Sequence, residues 1–350
     1  MQPKYLQLSE ELQRRIDSGE WTTGDCIPSE VALAKEYGVA YMTVRAAVSA
    51  LAQAGRLRRI RGRGTFVVEP RQPDTIPMLG LLLPPKWHGL DPFYFPQIVA
   101  GFTDRSEELG YRVHLGDRSE PLIEFIQLRE LHVGAVACVM IQERDVQEAE
   151  SLLDRGVAVV AINHYQGSRR ITSISPDNRH GSSEAARLLL SLGHRRFTYL
   201  AGPPDNLDAG QRLLGVRQAL RSAGHRPAIL PGGFSEASGY ERTAELIRSG
   251  SVPTALIACS DLAAIGAMKA LAEAGIRVPD EVSVMGFGDF RPSAYMHPSL
   301  SSVQLPLYGV GVRASELLID EISGRRAQSQ LLPCPVLVRE SVAPPRADRS

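Results

Sequence analysis

Arg56-Leu57-Arg58-Arg59-Ile60-Arg61-Gly62-Arg63-Gly64-Thr65-Phe66-Val67 holds five arginines and no acidic residue. Leu57 to Ile60 and Thr65 to Val68 flank Gly62 and Gly64, which accept the positive φ of a tight turn, so the stretch predicts a β-hairpin with a cationic tip. Such a hairpin can follow a phosphate backbone, or it can be a solvated basic face. The residues before it decide between these. Tyr5, Leu8, Leu12 and Ile16 recur at helical spacing up to Gly19. Pro28-Ser29-Glu30 opens a second helix, in which the Ser29 hydroxyl caps free amides and Glu30 suits the positive helix end. That helix carries Leu33, Ala34 and Tyr37 inward and stops at Gly38. Val44, Val48 and Leu51 mark a third helix, ending before Gly55. Two helices joined by a tight turn with glycine describe a helix-turn-helix, and three helices followed by a hairpin describe its winged form.

C-terminal to the hairpin, residues 69–77 contain three prolines and no periodicity, as expected of a semi-rigid linker. The expected division is therefore 1–68, 69–77 and 78–350. In the last segment apolar runs alternate with helical patterns: Met78 to Leu83, Tyr111 to Leu115, Gly134 to Val139, Val157 to Ile162, Phe197 to Ala201, Ala255 to Cys259 and Ser283 to Gly286. Repeated βαβ units predict an α/β fold with parallel sheets covered on both faces. There are too many units for one comfortable sheet, so two similar lobes are expected.

The composition fits this division. At 350 residues, with 43% apolar and 22% charged residues, the chain suits a soluble protein of two or three domains. Its formal net charge is zero, so positive charge matters through its local concentration at the hairpin. Cys26, Cys138, Cys259 and Cys334 form no CxxC pair, which predicts reduced thiols rather than a metal site or a disulfide framework. No apolar run approaches the roughly 20 residues of a membrane span, and Met1-Gln2-Pro3-Lys4-Tyr5 lacks the character of a secretory signal. A cytoplasmic location and no membrane partner are expected.

Tyr5-Leu6-Gln7-Leu8, Gly19, Gly24, Pro28-Ser29-Glu30, Leu33-Ala34, Thr43-Val44-Arg45, Leu51, Gly55 and Gly62-Arg63-Gly64-Thr65-Phe66-Val67 follow one another as in the GntR family of bacterial regulators, which this segment resembles. The resemblance implies a third helix in the major groove of DNA and a wing beside the minor groove. Arg45 and Thr43 become expected DNA contacts, with Ser29, Tyr41 and Met42 on the helices and Arg58, Arg61, Gly62, Arg63 and Gly64 on the wing. Two departures stand out: Val31 occupies a position where the family commonly has arginine, and Ala40-Tyr41 one where it has Ser-Arg.

The remainder resembles the sugar-sensing domains of the LacI/GalR family, which share the fold of periplasmic binding proteins. The matching residues include Phe93-Tyr94, Gly101, Leu109-Gly110-Tyr111, Asp177-Asn178, Gly193-His194-Arg195-Arg196, Arg212-Leu213-Leu214-Gly215, Val278-Pro279, Gly286-Phe287 and Arg339-Glu340-Ser341. The resemblance implies a first lobe over about 78–175 and a second over about 176–287, a return to the first through a helix near Tyr308 to Ser323, and an effector in the cleft between them. Phe93, Tyr94, Asn163, His164, Arg212, Ser260, Asp261 and Asp289 are the expected effector contacts. Arg212 suits hydroxyls or a carboxylate, or is a surface helix arginine; Phe93 and Tyr94 form an apolar wall or pack a loop; Asp289 touches the ligand or caps a turn. Asn163, Ser260 and Gly288 stand where the family commonly has an acid, an asparagine and an acid.

Together these readings predict a dimeric regulator of carbohydrate-related genes, a repressor that binds palindromic operator DNA and a sugar or sugar derivative. They leave open whether the effector releases DNA or promotes its binding. No cofactor or metal is expected. A pyridoxal-phosphate enzyme fused to a GntR-type domain is the first alternative, but it needs a Schiff-base lysine, and only Lys86 and Lys269 follow the linker, neither in a cofactor motif. The second is a solute-binding protein, against which the N-terminal unit and the absent signal both argue.

Overall fold

The computed structural model describes residues 4–22, 24–53, 56–60, 64–67, 77–85, 92–118, 133–141, 145–163, 168–325 and 327–346. The chain divides into two compact units, Met1–Ile76 and Pro77–Ser350. Residues 68–76, which take in nearly all of the expected linker, lie outside the described residues.

The first unit runs α1 (Lys4–Asp17), β1 (Cys26–Ile27), α2 (Glu30–Tyr37), α3 (Tyr41–Gln53), β2 (Leu57–Ile60) and β3 (Gly64–Val67). The helices bury one apolar stripe each: Leu8 and Leu12 from α1, Leu33 from α2, and Val44, Ala47, Val48 and Leu51 from α3. Ile27, Leu57 and Val67 close that core from the sheet, whose order is β1-β3-β2 and whose strands are antiparallel. Arg15 ties the layers together, donating to Glu20, Glu36 and the Tyr37 hydroxyl with its guanidinium 4.1 Å from the centre of the Trp21 ring. Gly64 opens β3 with φ +117, a backbone conformation that favours glycine.

The second unit is two lobes, each built on a six-stranded sheet. The first lobe holds β4 (Met78–Leu83), β5 (Arg112–Asp117), β6 (Val133–Val139), β7 (Ala158–Ile162) and β8 (Thr172–Pro176), with α4 (Phe95–Glu108) and α5 (Val146–Asp154). The second holds α6 (Asn178–Ser191), β9 (Phe197–Leu200), α7 (Leu207–Ser222), β10 (Ala228–Leu230), α8 (Glu236–Arg248), β11 (Ala255–Ala258), α9 (Asp261–Glu273), β12 (Ser283–Gly288) and β13 (Ser301–Gln304). The chain then returns to pack α10 (Leu307–Ile322) on α4 and to pair β14 (Gln330–Leu332) with β8, and it ends with β15 (Val336–Leu337) antiparallel to β13. All other pairings in both sheets are parallel. Central strands read as near-continuous apolar runs because helices cover both faces.

Close helix crossings fix the second lobe. Gly239 of α8 faces the Ala263 carbonyl of α9, where an added Cβ would fall inside van der Waals distance of that oxygen. Backbone cannot yield as a side-chain end can, so Gly239→Ala is expected to cost about 2 kcal/mol or more. Urea denaturation of the full chain checks this; an unchanged midpoint would mean the two helices are free to part.

Candidate functional site

Two surfaces collect the expected functional residues. On the winged-helix unit, Ser29 caps α2, its hydroxyl oxygen accepting from the Ala32 amide at 3.2 Å. Tyr41, Met42 and Arg45 are exposed on the first turns of α3, while Thr43 is half-buried and Val44 enters the core. Arg59 lies across both helices: one guanidinium nitrogen reaches the Glu30 carboxylate at 2.5 Å and the Arg45 carbonyl at 3.4 Å. Arg56 is likewise paired with Asp17. Lys35 and Arg45 are thus the basic residues of α2 and α3, both exposed and with no ion pair among the described residues. Gly64 sits at the foot of the hairpin, and Arg58 pairs through its backbone with Phe66. Arg61, Gly62 and Arg63, and the side chain of Arg58, lie outside the described residues.

The second surface is the cleft between the lobes of the second unit. Phe93 and Tyr94 precede α4, and Asn163 follows β7; these are first-lobe positions. From the second lobe come Asn178 at the start of α6 and Asp208 and Arg212 on α7, where their i,i+4 spacing places both on one helix face. Asn163 donates from its amide to the Tyr94 hydroxyl and, at 3.0 Å, to the Asp208 carboxylate, to which the Tyr94 hydroxyl also donates at 3.4 Å. Asn178 links the rest, donating to Asp208 at 3.1 Å and accepting from Arg212 Nε at 2.7 Å. Arg212 also donates from Nη1 to the Cys259 carbonyl at 2.7 Å and lies 4.2 Å from the centre of the Phe287 ring. Residues of both lobes therefore share one hydrogen-bonded cluster. Burial, and then the Asp208 carboxylate, push the Tyr94 phenol well above its ordinary range, so it is a neutral donor.

Polar capacity remains in this cluster. Among the described residues the buried Asn163 side-chain oxygen has no hydrogen-bond partner, and Asn163 holds φ +79, a left-handed backbone conformation that places its amide toward the second lobe. Arg212 Nη2 makes no hydrogen bond among the described residues. One unmet acceptor, one donor and one carboxylate suit a molecule rich in hydroxyls, each of which can both donate and accept.

Three residues expected to face an effector are instead committed inside the second lobe. Ser260 caps α9 by accepting from the Ala263 amide and donates to the Phe234 carbonyl at 2.7 Å. Asp261 is fully buried and accepts from the Phe290 amide, the Ser293 hydroxyl and the Ser302 hydroxyl. Burial pushes its carboxyl above the ordinary value, and these three donors oppose that shift. Asp289 holds Arg339 at 2.6 Å and accepts from Gln304 at 2.9 Å, so it braces β13 against the C-terminal segment. Phe93 stacks on Phe290 across the lobes, with ring centres 5.6 Å apart. His164 lies outside the described residues. Asp208 and Asn178, which are not among the expected contacts, join this cluster, and the four-residue spacing from Asp208 to Arg212 is the signal in the sequence that points to Asp208.

Residues 4–67 match the bacterial regulatory proteins of the gntR family, and residues 186–342 match a periplasmic binding protein-like domain. The chain is 27% identical over 342 residues to the arabinose metabolism transcriptional repressor of Geobacillus stearothermophilus, covering 92% of each protein. It is 32% identical over 249 residues to the HTH-type transcriptional regulator AscG of Escherichia coli strain K12, covering 68% of this chain and 70% of AscG. The structure of the lac repressor dimer bound to operator and an anti-inducer superposes with a TM-score of 0.69 at 26% identity, over 78% of this chain and 96% of that one. The chain belongs to the LacI-type transcriptional regulators and carries a gntR-type DNA-binding domain. As a regulator of this kind it joins a DNA-binding unit to a ligand-sensing one. Among its described residues no helix is long and apolar enough to cross a membrane, and no group of acidic, histidine or cysteine residues could hold a metal ion.

Proposed function

We propose that the protein is a cytoplasmic repressor of carbohydrate-related genes, without enzymatic activity, that binds a palindromic operator as a homodimer and senses a sugar or sugar derivative between its lobes. The DNA-binding domain spans residues 1–68 and the effector domain 78–350. The observation that carries this reading is the shared cluster of Tyr94 and Asn163 with Asp208, Asn178 and Arg212, because lobe position and cleft occupancy depend on the same polar atoms. A ligand that inserts hydroxyls there favours one lobe arrangement, and by linkage it changes operator affinity only by its differential affinity for the two arrangements. The arabinose-linked relative supports the carbohydrate class, and the operator-bound dimer supports the palindrome. The test is calorimetry with a panel of pentoses, hexoses and disaccharides; binding that Asp208→Asn abolishes supports the cleft assignment, and binding that Asp208→Asn leaves unchanged refutes it.

On the DNA side, Arg45 is the exposed cation of the first turns of α3. If its guanidinium reads a base edge, Arg45→Ala is expected to weaken specific binding by about 1–3 kcal/mol. Equal affinity of wild type and variant for the palindrome at fixed salt would remove Arg45 from the reading surface.

A further inference from the structure

The described part of the winged-helix unit exposes four large apolar side chains, and three of them stand where α2 and α3 begin: Val31 at 70% exposure, Met42 at 66% and Tyr41 at 44%. The other large apolar side chains of these two helices, Leu33, Tyr37, Val44, Val48 and Leu51, are turned into the core or lie partly buried against it. A single nitrogen of Arg59 touches both Glu30 and the Arg45 carbonyl, which brings the start of α2 beside the first turns of α3. Val31 follows Glu30, and Tyr41 and Met42 lie four and three residues before Arg45, on the same face of α3. Glu30 and Arg59 neutralise each other, so the centre of this face carries no net charge. Its cation is Arg45, one turn further along.

Such a face suits a polyanion only where the polyanion also offers apolar groups. In the major groove of DNA the apolar group on offer is the 5-methyl of thymine, set beside base-edge acceptors that suit arginine. We propose that Val31, Met42 and Tyr41 read thymine methyl groups, so that part of this protein's operator specificity is apolar. The inference rests on the DNA-binding assignment above and names which chemical group of the operator these residues recognise. Arg45 then supplies the hydrogen-bonded part of the readout, and Arg59 acts by position, cancelling a carboxylate that would otherwise face the duplex.

The full-length chain is used to enrich a preferred site from a random duplex library, and each thymine of that site is then replaced in turn by deoxyuridine, which removes only the methyl. At one or two positions per half-site affinity is expected to fall about 4-fold, the effect of one methyl group left unburied. Met42→Ala and Val31→Ala, both at exposed positions that leave the core intact, are expected to weaken binding of the unmodified site and to erase the thymine preference. Equal affinity for thymine and deoxyuridine at every position overturns the inference, as does a preference that survives both substitutions. Self-association of the free protein that both substitutions abolish, with no thymine preference, overturns it in favour of a second copy as the occupant. Failure to enrich any site overturns the DNA-binding assignment and the inference with it.

Discussion

Arg212→Ala is expected to abolish effector binding and to loosen the second lobe at the same time. The guanidinium is buried and donates to the Asn178 side chain and the Cys259 carbonyl while covering the Phe287 ring. Truncation leaves both acceptors without a donor in a place water reaches poorly, and a buried hydrogen bond to a charged group carries about 1.5–3 kcal/mol. A loss of about 3–5 kcal/mol in stability is the expected total. Arg212→Lys separates the two roles, because lysine keeps the charge but lacks the planar fork that serves two acceptors and a ligand together. The lysine variant is expected to retain more stability than the alanine variant and still to lose the effector response. Urea denaturation read alongside calorimetry decides the matter; a stable, fully responsive Arg212→Ala protein would show that the residue serves neither role.

The second large effect is expected at the wing. Arg15, Arg56 and Arg59 are bound to acidic partners within the domain, so α2 and α3 offer a duplex only Lys35 and Arg45 among their described residues. Salt-dependent affinity is then expected to fall largely to Arg58, Arg61 and Arg63. Replacing Arg61 and Arg63 together with alanine is expected to lower the magnitude of the slope of log affinity against log salt by about 1.8, the effect of two lost phosphate contacts. Specific and unrelated duplexes are expected to be weakened alike. A wild-type slope in the double variant would mean that the hairpin is a solvated face. Arg59→Ala is no neutral comparison here: it frees the Glu30 carboxylate beside α3 and is expected to weaken binding by repulsion.

How far the sequence carried depended on whether the signal was periodic and local. The winged helix was legible because Ser29, Gly38 and Gly64 each do a local task that the chain spells out. The central strands were legible as apolar runs, whereas Thr172–Pro176, Ser301–Gln304 and Gln330–Leu332 were not, since their polar residues break the pattern and only pairing with neighbouring strands makes them strands. The position of Arg212 in the cleft followed from resemblance. That Ser260, Asp261 and Asp289 brace the lobe did not, because their partners Phe234, Ser302 and Arg339 lie 26, 41 and 50 residues away. Distance in sequence hides hydrogen bonds of this kind. The same limit concealed the meeting of Asn163 with Asp208 across the lobes, 45 residues apart.

Regulation by this protein requires one coupling, between the cleft and the DNA-binding domain of the same chain. Fluorescence anisotropy of an enriched palindromic duplex, titrated with the full-length protein in the presence and absence of a sugar that calorimetry shows to bind, measures it most directly. The expected result is a shift of operator Kd by about 5–150-fold in the wild type, the usual span of allosteric coupling, and no shift in Asp208→Asn. A sugar that occupies the cleft while operator Kd stays the same would contradict the account.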